Sequence, residues 1–426
     1  MNSIPFYGRL GWGNFFDWMV TFCLCGMFIL SGFLMGSVHP ETHLILLPCF
    51  ALLLILHGVW YVVEKETPVR LSLVSLLFLP FLGWVLINAY YISPTPWRGW
   101  QDLVYLAEAF VLLWVLTNNA KTMSHIWVVC FSAIIPVAYA LLIGFYQFFQ
   151  NPEKIVNAMS QVPVQLSPEF LGRATGIFAD PQSFAMLLLL MLPCFIFLGT
   201  VPRFPALLRV FCLYTAVMLF LGLLISQVYW ACLALALMLF LVPCFVFRKR
   251  AKGLIVGIVC GVTWLVVTGL VIFFNTTVRE SAEEAFSVNG EGVRRVLWPE
   301  AWQLVLEQPI QGNGSGSFSM LVEQSPRVLL ARQSQTPLND VLHILVEYGL
   351  VGLILAVVPL GIIFFRAYQH WAKEAFYKYT ARSRRQKVMP SKRFLISLGF
   401  LGSIGFLLGS VFNGALLLPG VLFYGV

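Results

Sequence analysis

Charged side chains are scarce in this chain of 426 residues, of which Lys, Arg, Asp and Glu make up only 11%. Soluble globular domains carry about 25% charged residues, so a soluble domain is excluded. Acidic residues are the rarer kind, with 19 Asp and Glu against 27 Lys and Arg, for a formal net charge of +8. The basic residues flank apolar runs, as orientation in a membrane requires. No nucleic-acid partner is therefore expected.

Residues that could bind a metal or form disulfides are few or poorly placed for it. All nine cysteines fall within apolar runs, and none lies in the long polar segment at 275–340. In such surroundings a cysteine behaves as a small hydrophobic residue, and no spacing here matches a metal site or a disulfide framework. The sequence therefore predicts no metal and no cofactor.

Hydrophobic residues, in contrast, make up 59% of the chain, and its mean hydropathy is +0.84. They form continuous runs of about 20 residues, each long enough to cross a bilayer as a helix. Continuous rather than alternating runs favour helices over a β-barrel. The predicted spans occupy residues 16–36, 43–63, 71–92, 103–118, 125–149, 181–200, 206–225, 228–247, 253–274, 341–365, 394–412 and 415–426. The expected fold is an all-α polytopic membrane protein with about 11–12 transmembrane helices and one large extracytoplasmic loop containing short interfacial helices.

The distribution of Lys and Arg predicts the orientation of these helices. Most of them fall in alternate loops, which places the N-terminus and the basic loop at 366–393 in the cytoplasm. The long polar segment then lies outside, because long segments are translocated regardless of charge. Four units follow: an N-terminal transmembrane bundle at 1–150, central transmembrane helices preceded by an outer loop at 151–274, a large outer loop at 275–340, and C-terminal transmembrane helices at 341–426.

The first outer loop ends in Leu171-Gly-Arg-Ala-Thr-Gly-Ile-Phe-Ala-Asp-Pro-Gln182, which leads directly into an apolar run. Asp180 followed by Pro181 is a good helix start. Arg173 is thereby placed just outside that start, at the membrane surface. Arg173 either has a functional role there or is simply a basic side chain that extends to the membrane interface.

The large outer loop contains a stretch with helical spacing, from Val293 to Glu307. Its apolar residues recur every three or four positions, and Trp298 and Trp302 suit the level of the lipid headgroups. The pattern predicts an interfacial helix that presents Arg294 or Arg295 to the membrane surface.

The Gly312-x-Gly-x-Gly turn that follows has no preceding strand and no βαβ unit around it, so a dinucleotide-binding role is rejected. Beyond it a helix is predicted to begin near Pro337, with Asn339, His343 and Glu347 on one face because they are four residues apart. Ionisable groups inside a bilayer are costly and usually face a cavity or a partner. The stripe is therefore either a polar path or a His–Glu hydrogen bond that links two helices.

Four motifs occur in order between about residues 155 and 360. They are Arg173-x-x-Gly176-x-Phe178 with Pro181; Ser226-Gln-Val-Tyr-Trp230; Arg294-x-x-x-Trp298 followed by Pro309-Ile-x-Gly312-x-Gly314-x-Gly316-x-Phe318; and Asn339 followed by Gly349-Leu-Val-Gly352. Together, and in this topology, they resemble the conserved blocks of bacterial O-antigen ligases and related polysaccharide polymerases.

This resemblance implies a metal-independent, inverting transfer of a glycan from an undecaprenyl-diphosphate carrier to an acceptor hydroxyl on a glycan or a lipid. It also implies the bacterial inner membrane, with the large loop in the periplasm. Arginines at the interface would hold the diphosphate through charge-assisted hydrogen bonds. The candidates are Arg173 and Arg294, with Arg295 or Arg279 in support, and the positive end of the helix near Pro337 would add to them.

Two positions depart from the family pattern. Leu338 stands where the family usually has a histidine that is proposed to act as the base, and Gln227 stands where an arginine is expected. A general base contributes about 10²–10⁴-fold to rate, so a replacement is needed. The candidates are Asp340 and His343, although His343 lies about 140° around the helix from position 338. The other residues expected to contact substrate are Gln227, Asn339 and Glu347.

Two alternatives to an active transferase stay open. A catalytically degenerate relative would bind lipid-linked glycan without turnover, as the departures at Leu338 and Gln227 suggest. A transporter would use the stripe of Asn339, His343 and Glu347 as a polar path, although the sequence has no clear internal repeat of the kind found in transporters.

Overall fold

The computed structural model describes residues 12–33, 40–63, 73–119, 122–149, 173–178, 181–200, 205–246, 250–275, 279, 293–323, 337 and 339–380, and helical residues between 402 and 410. Within these ranges the regular structure is helical, and no strand is present. The α-helices are α1 (Trp12–Phe33), α2 (Pro40–Val63), α3 (Leu73–Ile87), α4 (Pro96–Asn119), α5 (Met123–Phe149), α6 (Pro181–Thr200), α7 (Ala206–Ile225), α8 (Tyr229–Val246), α9 (Arg250–Phe274), α10 (Val293–Glu307), α11 (Phe318–Glu323) and α12 (Asp340–Thr380).

Helix α6 lies at the centre of the main helical bundle. It packs along α7 and also contacts α5 and α8, while α1 pairs with α2 and α5. Its side chains from Phe184 to Leu189 are almost completely buried, as expected for a helix that is apolar on every face and enclosed by others. Because α6 begins at Pro181, its N-terminal end lies directly beside the turn that carries Arg173.

Eight of the described helices are long and apolar enough to cross a membrane, and two apolar stretches, Leu76–Ile92 and Tyr229–Leu241, are shorter. The outer helices expose large apolar side chains; α9, for example, exposes Ile255, Val259 and Val266. Backbone groups in lipid must be satisfied within the segment, which a helix does. The chain is therefore an all-α polytopic membrane protein, as predicted.

A second packing unit is formed by α3, α4, α10, α11 and the first part of α12. Helix α3 ends in a π-helical segment, Asn88–Ile92. Helix α12 is interrupted at Gly349, where φ is 66° and ψ is −169°, so Asp340–Tyr348 and the residues after the break are separate helical pieces. These two irregularities lie side by side, and both form hydrogen bonds with the long polar segment 275–340.

Most helix positions agree with the apolar runs, and α10 ends before Pro309 as predicted. The largest differences are at two boundaries. Helix α4 starts at Pro96 rather than at residue 103, and α12 continues to Thr380, so the first part of the basic segment 366–393 is helix and not loop. The predicted spans at 394–412 and 415–426 lie outside the described residues, except for helical positions between 402 and 410.

Candidate active site

Arg173 lies in a short turn, residues 173–178, immediately before α6. The amide of Ala174 donates to the carbonyl oxygen of Ile225 at 3.1 Å, which joins this turn to the end of α7. Residues 174–178 are buried, whereas Arg173 is half-buried. The turn therefore holds its backbone inside the protein and leaves the arginine as its accessible side chain.

Gln227 lies in the adjoining turn between α7 and α8. With φ at 53° it is the one non-glycine residue with a positive φ in the described part of the chain, and its side chain is buried. A non-glycine residue in this region is uncommon, and such strain often occurs at functional sites. Tyr229, two residues later, lies close enough to Arg173 for the arginine charge to act on its phenol group. The first two motifs therefore form one surface.

Helix α10 is attached to this surface through Trp298. The Trp298 ring packs against the ring of Trp230, with centroids 6.1 Å apart, and its Nε1 donates to the carbonyl oxygen of Pro337 at 3.0 Å. These contacts join the second, third and fourth motifs. They also bring the backbone of Arg294 and Arg295, one turn earlier in α10, to the same region, while the side chains of both arginines lie outside the described part of the structure.

An open groove of about 500 Å³ lies between α10 and the start of α12. The residues that line it include Trp298, Pro299, Trp302, Asn339, Leu342 and Leu345. Asn339 is its polar member, and the Asn339 side-chain oxygen accepts a hydrogen bond from the amide of Leu342 at 3.1 Å, as an N-cap of α12 does. The groove thus has an apolar floor and a polar end at a helix N-terminus.

The glycine-rich turn at 312–316 is packed into the break of α12 and does not border the groove. The amides of Asn313 and Gly314 donate to the carbonyl oxygens of Val346 and Glu347, at 2.8 and 3.1 Å. In return, the amides of Leu350 and Val351 donate to the carbonyl oxygens of Pro309 and Ile310, at 2.9 and 3.2 Å. A helix break leaves such groups unpaired, and here the loop pairs them.

Glycine is required in this corner because the backbones approach so closely. A Cβ on Gly312 would lie 2.3 Å from the carbonyl oxygen of Glu347, and one on Gly349 would lie 2.2 Å from the carbonyl oxygen of Ile310. Both residues also have positive φ, which disfavours any other residue. Glycine at these two positions is therefore explained by backbone packing within the protein.

A buried polar cluster connects the same turn to α3 and α4. The Asn88 side-chain oxygen accepts from the amide of Ser315 at 2.6 Å, and Asn88 Nδ2 donates to the carbonyl oxygen of Glu347 at 3.2 Å. The Ser315 hydroxyl lies 3.1 Å from Asp102 Oδ2 and 3.0 Å from the Tyr348 hydroxyl. Asn88, Ser315 and Tyr348 are wholly buried, so this cluster fastens the loop onto the membrane helices.

His343 and Glu347 form the side-chain pair expected from their spacing. His343 Nε2 lies 3.1 Å from Glu347 Oε1, which also accepts from the amide of Phe318 at 3.3 Å. His343 packs against the Phe318 ring, and both members of the pair are buried. The pair therefore links α12 to α11, which supports the linking interpretation of the stripe over the polar path.

The remaining predicted site residues have different environments. Asp340, the first residue of α12, is buried next to Asn339, while Arg279 is exposed and its amide donates to the carbonyl oxygen of Asn275. Leu338 lies outside the described residues. The contacts thus run from Arg173 and Gln227 through Trp230 and Trp298 to Asn339, whereas the side chains of His343 and Glu347 pack toward Phe318 of α11.

Several residues that shape this region were not singled out from the sequence. Gln147 binds the Arg173 turn, and Asn88 and Asp102 bind Ser315 of the glycine-rich turn. Their common signal is a lone polar residue at the end of an apolar run or next to a glycine. Among the described residues no group of three or more His, Cys, Asp or Glu is placed to hold a metal ion.

These features define a multi-pass helical membrane protein whose large polar loop is fastened to the membrane helices and borders an open groove between two helices. The model of the O-antigen ligase family matches residues 210–357, which confirms the resemblance to an O-antigen ligase-like family over that part of the chain. The match includes the second, third and fourth motifs, and Arg173 precedes it. No match is found among curated proteins. The family match supports a ligase or polymerase type of function in general, with a lipid-linked glycan as substrate.

Proposed function

We propose that this protein transfers a glycan from an undecaprenyl-diphosphate carrier to an acceptor hydroxyl at the periplasmic face of the bacterial inner membrane. The observation that carries the proposal is the convergence of the four motifs. The Arg173 turn meets the Ser226–Trp230 segment, and Trp230 meets Trp298 of α10, which in turn binds Pro337 before α12. An arginine, an arginine-bearing helix and a helix N-terminus thereby surround one surface.

The reaction requires positive charge at this surface. The acceptor oxygen forms a bond to the anomeric carbon as the bond from that carbon to the phosphate oxygen breaks, and the carrier leaves as a diphosphate with increased negative charge. Arg173 and Arg294 stabilise that charge, with Arg279 or Arg295 in support, because guanidinium groups bind phosphate through bidentate hydrogen bonds. The N-terminal end of α12 contributes its dipole.

The groove beside α10 suits the apolar part of such a carrier. Leu342 and Leu345 form an apolar floor, and Trp298 and Trp302 flank it. An isoprenoid chain in the groove would place its diphosphate near Asn339, at the polar end. Asn339 would then contact the donor. The side chains of Gln227 and Glu347 are buried, so Gln227 would act by shaping the turn beside Arg173 and Glu347 by holding α12 to α11.

The proton of the acceptor hydroxyl needs a base. Asp340 and His343 remain the two candidates in place of Leu338. Asp340 is buried and is not itself part of the groove lining, but it directly follows Asn339, which is, whereas His343 is enclosed by Phe318 and Glu347. We prefer Asp340 for this place in the chain, because a general base must come within hydrogen-bond reach of the proton that it removes.

The test is transfer from a defined undecaprenyl-diphosphate-linked glycan in proteoliposomes. Arg173→Ala and Arg294→Ala are expected to abolish transfer while insertion and thermal unfolding stay unchanged. Arg366→Ala, in the distant part of α12, is the matched control for loss of one basic side chain. Wild-type transfer by both variants would refute the proposal.

The degenerate relative remains the second candidate, because Leu338 and Gln227 replace the residues that the family usually has at these positions. It predicts binding of the carrier without release of undecaprenyl diphosphate. Release of that product by the purified wild-type protein from a suitable donor would exclude it.

A further inference from the structure

We infer that Gln147 is a positioning residue for Arg173: its buried amide fixes the backbone turn that presents the arginine to the diphosphate. The inference rests on the proposed function, because it gives a role to a residue that acts through Arg173. Gln147 lies in the last turn of α5, and its side chain is only 1% exposed.

The Gln147 amide binds the turn with both of its polar atoms. Its Oε1 accepts from the amides of Thr175 and Gly176 at 2.9 and 2.8 Å. Its Nε2 donates to the carbonyl oxygen of Gly176 at 3.0 Å and to the Thr175 hydroxyl at 3.1 Å. The turn is too short to pair these backbone groups internally, so a side chain from another helix does so.

Packing holds the rest of the turn in place, and the side-chain amide of Gln147 sets the orientation of its backbone. Gly176 has φ of 61°, and a Cβ there would lie 2.7 Å from the Phe184 ring. Gly144, one turn before Gln147 in α5, lies against the same ring, since a Cβ there would be 2.8 Å from it. Phe184 thus fills the space between α5 and the turn, while hydrogen bonds from Gln147 set the direction of residues 175 and 176.

This arrangement requires an amide. A glutamate at position 147 could still accept from two backbone amides but could not donate to Gly176 or Thr175, and a methionine of similar length could do neither. Because Arg173 is only two residues away, a change in the turn moves its guanidinium group. Binding of a diphosphate depends on the direction of that planar group, and misplacement by about 1 Å can cost about 10²-fold in rate.

The experiment measures binding of undecaprenyl diphosphate to the purified full-length protein and, in parallel, transfer kinetics in proteoliposomes. The variants are Gln147→Met, Gln147→Glu, Arg173→Ala and the double variant Arg173→Ala/Gln147→Met. The matched control is Asn118→Leu, which also removes a buried amide but one that donates to the carbonyl oxygen of Trp114 in its own helix. Thermal unfolding is recorded for each variant.

Gln147→Met is expected to weaken binding of the carrier and to lower kcat/KM by about tenfold or more, and Gln147→Glu by less. In the Arg173→Ala background Gln147→Met should have no further effect, because the two residues then act through one lost contact. Asn118→Leu should bind and transfer as the wild type does. If Gln147→Met does not fold, Gln147→Glu decides the question through the same cycle with Arg173→Ala.

The two proposals fail in different ways. If Arg173→Ala weakens binding but neither Gln147 variant does, the inference is overturned and the proposed function stands. If the effects of Gln147→Met and Arg173→Ala add in the double variant, Gln147 acts on stability and not through Arg173, and the inference is again overturned. If Arg173→Ala itself binds and transfers normally, the assignment of Arg173 fails and the inference fails with it.

Discussion

The two glycine-containing turns of this protein have similar motifs and differ in what they present. The turn at 312–316 is enclosed by α3, α4 and α12, and its backbone exchanges hydrogen bonds with the break at Gly349. The turn at 173–178 is also buried, but it leaves the side chain of Arg173 half-buried. The comparison teaches that close packing of glycine serves the fold alone in the turn at 312–316, whereas in the turn at 173–178 it also holds a presented side chain. Changes in the first should affect stability, and changes in the second should affect transfer.

The largest expected effect concerns the proposed base, Asp340. Asp340→Asn is expected to lower kcat by about 10²-fold or more, because no carboxylate would remain there to take the proton of the acceptor hydroxyl. His343→Gln is its matched comparison on the same helix and should retain most of the rate. Single-turnover transfer measures both, and the opposite order would assign the base to His343.

A large loss of folded protein is expected from Gly312→Ala in the enclosed turn. The added Cβ would meet the Glu347 carbonyl oxygen at 2.3 Å, and positive φ adds strain. Overpacking typically costs about 1–3 kcal/mol, and backbone cannot move aside as a flexible side chain can. Thermal unfolding in detergent measures the change. Gly269→Ala, where a Cβ meets nothing within 4 Å, is the control.

If Gly312→Ala were to unfold like the wild type and yet lose transfer, the glycine-rich turn would be part of the chemical site. The division between an enclosed turn and an active one would then be wrong.

A moderate effect on donor binding is expected from Trp302→Ala in the groove. The indole is 52% exposed, so little packing within the protein is lost, whereas contact with the carrier chain is lost. The KM for the donor should rise by about tenfold, in line with about 1.5–3 kcal/mol for burial of a large apolar side chain. Leu306→Ala, exposed on the same helix and absent from the groove lining, should leave KM unchanged.

The smallest effect on transfer is expected from Ser315→Ala. It removes the hydroxyl that joins Asp102 to Tyr348, while the backbone bond from Ser315 to Asn88 remains. Loss of one buried hydrogen bond that leaves its partners unpaired costs about 1–3 kcal/mol. A lower unfolding temperature with normal transfer per folded molecule would show that Ser315 stabilises the fold. A loss of transfer without a change in unfolding temperature would show that it belongs to the active site.

Local patterns in the sequence predict a good part of this structure. Apolar runs give most of the helices, Pro181 gives the start of α6, and the spacing of His343 and Glu347 gives their contact, because each depends on neighbours along one helix. The break at Gly349 was not predicted, because the sequence Gly349-Leu-Val-Gly352 is typical of an apolar helix. The break depends on hydrogen bonds with a second segment, which a local pattern does not reveal. The hydrogen bond between Asn88 and Ser315 joins residues 227 positions apart, and no local sequence pattern predicts such a pair.

The candidate site shows the same limit. Arg173 could be found from its position between a polar loop and an apolar run. Gln147 could not, because an amide at the end of an apolar run has many uses and its partners, Thr175 and Gly176, lie in another turn. Topology alone brings the two together.

The contact between Asn88 and Ser315 also bears on the order in which this protein is assembled. Asn88 is synthesised long before its partner, and in the proposed orientation Ser315 reaches it only after the large polar loop has crossed the membrane. Until then the amide of Asn88 must be satisfied by water, by lipid headgroups or by a neighbouring helix, because an unpaired polar group in hydrocarbon is costly. In that orientation the α3–α4 pair would reach its final arrangement only when the loop packs onto it, and export of the loop would be coupled to completion of the membrane fold.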